Sequence, residues 1–172
     1  MKLNISAVRR AHTARSLRLF GEAYFLGSEG QPLRYSKGQL LAIQQIQAIA
    51  DAGSEEPIQA GLMLPRGHGK TTSILMPSIL WLQLRKGYPG LSWGSRYAII
   101  ATAGTLYKQL SRDIRLILTG MGPLVRDHQG EALLCQDWEI LPSKHHPASD
   151  DVGIWHIEDF AYYAGGLKAR HR

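Results

Sequence analysis

Nine residues, "LPRGHGKTT" at 64–72, have the types and spacing best suited to chemistry in this chain. A Gly-Lys-Thr triplet behind a short apolar segment has the form of a phosphate-binding loop, whose usual pattern is G-x-x-x-x-G-K-[ST]. In such a loop backbone N–H groups converge on the phosphates, and the dipole of the following helix favours their negative charge. Gly67 and Gly69 supply the backbone freedom needed to wrap a β-phosphate. Lys70 is placed to reach β- and γ-phosphate oxygens and Thr71 to set its hydroxyl on Mg²⁺, with His68 and Thr72 as their neighbours in the loop. Arg66 is a guanidinium that reaches either a γ-phosphate, a neighbouring subunit's nucleotide, or solvent. Leu64 stands where the pattern wants Gly, and Pro65 stiffens the first turn. The cofactors expected are ATP and Mg²⁺.

Hydrolysis asks for more than a loop. It needs an apolar strand that ends in Asp followed by another acid, one ordering Mg²⁺ through water and the next polarising the attacking water. "IWHIED" at 154–159 offers Glu158 and Asp159, but His156 interrupts the strand and the acids come in the order Glu-Asp. The competing alignment places "GGLKARHR" just ahead of an acid strand that lies beyond residue 172. Asp150 and Asp151 are adjacent, so on a strand they point to opposite faces and suit a metal poorly. His145, His146, His156 and Cys135 lack the paired spacing of a zinc site.

The elements that must position these residues follow from periodicity. Residues 3–26 read as one or two amphipathic helices, and "SKGQLLAIQQIQAIADAG" at 36–53 as a stronger one, with Leu40, Leu41, Ile43, Ile46, Ile49 and Ala50 on its apolar face. "IQAGLML" at 58–64 reads as a buried strand feeding the loop, and a helix follows to about Lys86 with Pro77 expected to kink it. "RYAIIATA" at 96–103 reads as a second strand, followed by a helix that Gly120 closes. Beyond it, "EALLCQDWEIL" and "VGIWHIEDFAYY" read as strands. Strand, helix, strand, helix with apolar strands predicts an α/β fold of the P-loop NTPase type: a parallel sheet flanked by helices, here incomplete. Residues 1–35 form a basic helical N-terminal extension and 36–172 a partial ATPase domain. No internal repeat stands out.

Composition narrows the partners. The chain has 172 residues, 44% of them hydrophobic, and a formal charge of +6. Residues 1–40 carry seven Lys and Arg against Glu22 and Glu29, and residues 61–120 carry eight against Asp113 alone. Residues 121–172 reverse the balance, with eight acids against five bases. A basic front suggests a polyanion, nucleic acid first. Lys108, Arg112 and Arg115 share one helix face by their spacing. The longest apolar run is about half of what a membrane span needs, the N-terminus lacks the apolar core of a secretory signal, and a lone Cys135 allows no internal disulfide.

"LPRGHGKTT" resembles the deviant phosphate loop of tailed-phage terminase large subunits, the motors that drive DNA into capsids. There the first Gly is commonly missing and the loop arginine belongs to the pattern. "RYAIIATAGTLYKQLSRDIRLIL" resembles the family's second strand and helix, and "YAGGLKARHR" its Gly-rich segment ahead of the acid strand. The resemblance spans roughly residues 36–120. It implies a glutamine upstream that reads the adenine edge, a place that Gln39 fits, with Gln44 and Gln45 as rivals. It further implies double-stranded DNA, a portal protein, a small terminase subunit and a ring of identical copies as partners, in the cytoplasm of a bacterial host. The family's nuclease domain has no counterpart here. The rival readings are a nucleic-acid-binding module without turnover and another P-loop NTPase, helicase-like or kinase-like.

Overall fold

A computed structural model describes residues 4–52, 61, 63, 69–85, 112–114 and 116–140. The first two helices form where caps permit. Asn4 accepts a hydrogen bond from Ala7 N–H at 3.1 Å and opens α1, Ile5–Arg15. Ser16 then adopts an extended backbone, ends α1, and accepts from Leu19 N–H at 3.2 Å to open α2, Leu17–Tyr24. One serine thus serves as stop and start, because its hydroxyl satisfies a donor that a helix start leaves without a partner.

Ser36 opens α3, Lys37–Ala52, through a reciprocal cap. Its backbone N–H donates to Gln39 Oε1 at 2.8 Å, and Gln39 N–H faces Ser36 Oγ at 3.4 Å. The helix buries Ala42, Ile43 and Ala50, while Leu41 of its predicted apolar face stays 63% exposed. The helix after Gly69 begins as a π-helical segment, Lys70–Leu75, and continues as α4, Met76–Arg85. The wider turn has a cause in Pro77, which has no N–H and whose ring would press on the carbonyl four residues back. Residues 112–114 and 116–118 are helical, and Gly120 follows them with φ at +76°, a left-handed value that suits glycine.

Leu133–Trp138 is a helix, α5, where the sequence reading expected a strand. Its buried residues Leu134, Asp137 and Trp138 fall at helical spacing, and Glu139 closes it with φ at +53°. The predicted parallel-sheet P-loop fold is likewise not what forms. Among the described residues the structure is 66% helical and 7% strand with no sheet, and its bridges are isolated antiparallel ones. Of the strand expected at 58–64, Gly61 and Met63 are described; both are exposed, Met63 by 96%. The apolar side chains are instead buried between helices. Phe20 is a hub, its ring 5.2 Å from Tyr24, 5.9 Å from Phe25 and 6.1 Å from Trp138. Leu17, Ile43, Ile74, Leu80, Trp81 and Leu84 extend the same core across α2, α3, the π-helical segment and α4. The expected strands at 96–103 and near 152–163 lie outside the described residues.

Two turns repeat one hydrogen-bonding scheme. In the first, Gly27 N–H donates to Gln31 O and Gly30 N–H to Gly27 O; in the second, Asp127 N–H donates to Glu131 O and Gly130 N–H to Asp127 O. Gly30 and Gly130 both have positive φ. The extended segments leading into the two turns meet at the isolated Phe25–Leu124 bridge. Sequence inspection misses this likeness because "GSEG" and "DHQG" share only the final glycine.

Candidate phosphate-binding site

Two proximities show how α3 and α4 lie. At one end, Gln39 Nε2 sits 3.6 Å from where a Cβ on Gly69 would stand. At the other, Arg85 Nη2 donates to Asp51 Oδ1 at 2.9 Å. The starts of the two helical segments therefore adjoin, as do their ends, and the helices run in the same direction. Their N-terminal partial charges add at one end, where Lys37 and Lys70 also sit, and neither helix has an acid in its first turn. Such an end favours an anion.

Gly69 is committed to that end. Its φ is +62°, Ser73 N–H donates to its carbonyl at 2.8 Å, and a Cβ would stand 2.9 Å from Ser73 Oγ. Any other residue would be both strained and crowded here. Lys70 and Thr71, which follow at the start of the helical segment, are half-buried, and Thr72 is exposed. A threonine hydroxyl beside a bound triphosphate is a suitable oxygen ligand for Mg²⁺. Arg66, Gly67 and His68 lie outside the described residues, as do Glu158 and Asp159. Of the sequence-predicted site residues, the structure thus brings Gln39 against Gly69, at the start of the segment carrying Lys70, Thr71 and Thr72. Gln44 and Gln45, the rivals of Gln39, are exposed further along α3. No three His, Cys, Asp or Glu side chains come together to hold a metal among the described residues.

The opposite side of the core carries charge of a different kind. Arg9 Nη2 donates to Asp137 Oδ1 at 2.8 Å and Arg9 Nε to Oδ2. Tyr24 donates its hydroxyl to the same carboxylate at 2.8 Å. Arg10 Nη1 reaches Asp137 O and Glu139 Oε1, each at 3.2 Å. The hydrogen bond to Asp137 raises the pKa of Arg9, and burial raises that of Tyr24. Sequence reasoning missed this cluster, because it joins residues 128 apart in the chain. The opposite charges of the chain's two ends were the available signal: the basic front meets the acidic back inside the fold.

No protein family, curated protein or solved structure matches the chain. No helix among the described residues is long and apolar enough to cross a membrane.

Proposed function

We propose that this chain binds Mg·ATP at residues 66–72, and that the bound nucleotide serves a DNA-packaging motor of the terminase type. The observation that carries the binding reading is the adjoining start of two helices that run the same way, with Gly69, Lys70 and Thr71 on one and Gln39 on the other. Lys70 holds the β- and γ-phosphates, Thr71 the metal, and Arg66, Gly67, His68 and Thr72 complete the loop. Bound Mg²⁺ supplies charge neutralisation between phosphate oxygens. Glu158 and Asp159 are the candidate acids for orienting water, which is where most of the acceleration of phosphoryl transfer arises. The packaging role rests on the loop's resemblance to terminases. It carries with it double-stranded DNA, a portal protein, a small subunit and a homo-oligomeric ring as partners in the cytoplasm of a bacterial host.

The rival reading, a nucleic-acid module built on the basic N-terminal helices, loses support from the structure. Arg9 and Arg10 are engaged with Asp137 and Glu139, and Arg18 pairs with Glu22 at 3.0 Å. Those charges are partly neutralised before any phosphate arrives.

Titration calorimetry with ATP and Mg²⁺ on the wild-type chain and Lys70→Ala tests the binding reading. Lys70 lies outside the apolar core cluster, so the variant should keep its thermal transition. It should lose about 1.5–3 kcal/mol of binding, the worth of a charge-assisted contact to phosphate. Equal affinity in the two proteins would remove the reading. Turnover lost in Glu158→Gln or Asp159→Asn, with binding intact, would assign the acids.

A further inference from the structure

We propose that residues 5–12, the first two turns of α1, form an arm that leaves the body of the fold without unfolding it, and that Arg9 and Arg10 are the latch that keeps it docked. None of residues 5–12 is buried, and Ile5 and Val8 are exposed apolar side chains. The burial of α1 begins at Thr13 and Ala14, in its last turn. The same turn carries its anchors: Thr13 O accepts from Trp81 Nε1 at 2.9 Å, and Arg15 O from Gln47 Nε2 at 3.1 Å. Among the described residues, the side-chain hydrogen bonds that tie the arm to other elements come from two guanidinium groups. Arg9 Nη2 donates to Asp137 Oδ1 at 2.8 Å, and Arg10 Nη1 to Asp137 O and Glu139 Oε1 at 3.2 Å each. In a buried ion pair the lost hydration offsets much of the attraction, so opening costs less than the contacts suggest. The docked arm also holds Arg10 Nε buried without a hydrogen-bond partner, a donor that water satisfies on opening. Undocking thus rehydrates Arg9, Arg10 and Asp137, which is the condition for a local opening below the cost of global unfolding. Thr13 supplies the hinge. Its Oγ1 lies 2.9 Å from Arg9 O and 3.2 Å from Arg10 O, a back-bonded arrangement that weakens and bends a helix. The device needs no nucleotide and is independent of the binding reading above.

Native-state hydrogen exchange on the full chain, residue by residue and in low urea, tests this. The amides of Val8 to His12 should share one protection factor, at least about 10-fold below those of Phe20 and Tyr24 in α2, with little dependence on urea. Arg9→Gln should lower the protection of the arm by roughly 10- to 100-fold, the worth of a hydrogen bond to a charged group, while Phe20 and Tyr24 stay protected. Glu139→Gln is the second variant. It changes an exposed carboxylate and should lower the arm's protection by only about two- to five-fold. Raising the salt to about 1 M should act in the same direction by a few-fold, chiefly through the Arg10–Glu139 pair. Arm amides as protected as those of α2, with the same urea dependence, would overturn the proposal, because α1 would then open only with the core. Protection that rises steadily from Val8 to His12 and ignores salt and both variants would overturn it as well, since that is ordinary fraying of a helix end.

Discussion

Tyr35 and Gly21 show how a single atom sets a local cost. The Tyr35 hydroxyl is buried without a hydrogen-bond partner, and its ring lies over Gly21 in the middle of α2. A Cβ on Gly21 would stand 1.8 Å from Tyr35 Oη and 2.8 Å from Cζ. Glycine inside a helix costs about 1 kcal/mol relative to alanine, so the ring's approach is what keeps it there. Gly21→Ala should destabilise by about 1–2 kcal/mol net, overpacking outweighing the better helix former. Tyr35→Phe removes a hydroxyl that burial penalises and should stabilise by about 1 kcal/mol. In the Tyr35→Phe background Gly21→Ala should cost less, since the closest atom is gone. Urea unfolding of the four proteins completes the cycle, and an unchanged cost would show that the ring carbons, not the hydroxyl, enforce the glycine.

Helices are held to one another here by buried polar contacts as well as by apolar packing. Asp137 of α5 is 1% exposed and receives Arg9 of α1 and Tyr24 of α2. Thr13 joins them: its Oγ1 lies 3.1 Å from Tyr24 Oη, and its carbonyl accepts from Trp81 Nε1 at 2.9 Å, bringing in α4. Asp137→Asn keeps the shape and deletes the charge, leaving Arg9 without its carboxylate. Removing one partner of a buried pair costs about 3–5 kcal/mol, and partial solvent access at Arg9 places this case near 3. Equilibrium unfolding measures it. A loss below about 0.5 kcal/mol, typical of exposed pairs, would mean that the contact is not formed in solution. Arg85 makes the complementary case between α3 and α4. It is 2% exposed, stacks 4.2 Å over Trp81, and has Nε and Nη1 buried without hydrogen-bond partners. Asp51→Ala should therefore destabilise by about 1–3 kcal/mol, less than a fully buried partner would, because Asp51 is half exposed. In an Arg85→Met background the same change should be close to neutral, and a persistent loss there would point to Gln47, the other partner of Asp51.

For the molecule as a whole, the buried and half-buried acids that titrate late decide how it responds to alkali. Burial pushes the Cys135 thiol up from 9.0 to about 11, and it raises the phenols of Tyr24 and Tyr35 above their usual range. Each is neutral when protonated. Between pH 9 and about 11 the unfolded chain sheds the thiol proton while the folded chain keeps it, so stability falls as pH rises through that window. Below pH 9 this contribution is fully present. The tyrosines extend the fall above about pH 10, the ordinary phenol value. Cys135→Ala should flatten the first part of the decline and leave the tyrosine part. Thermal melts at half-unit intervals from pH 7 to about 11 would show it. A wild-type curve that is level to the top of that range would refute the burial of these groups.

Local order was legible in the sequence wherever a cap or a period acts within a turn or two. Helix 36–53 was expected and Lys37–Ala52 forms, because Ser36 and Gln39 cap it and its apolar residues recur at helical spacing. Gly120 was expected to close a helix, and its positive φ shows why a glycine stands there. What the sequence by itself did not determine is which apolar runs become strands. "EALLCQDWEIL" has enough leucine and tryptophan for either form. Burial of Asp137 against Arg9, 128 residues away, selects the helix that brings Leu134 and Trp138 inward with it. The absence of a sheet among the described residues has the same origin: apolar residues bury against whatever surface is near, and that surface is made of helices. The common direction of α3 and α4, on which the candidate site depends, shows only in the fold, where Gln39 lies beside Gly69 at one end and Arg85 pairs with Asp51 at the other. Periodicity reports which face is apolar; only tertiary contacts determine what that face meets.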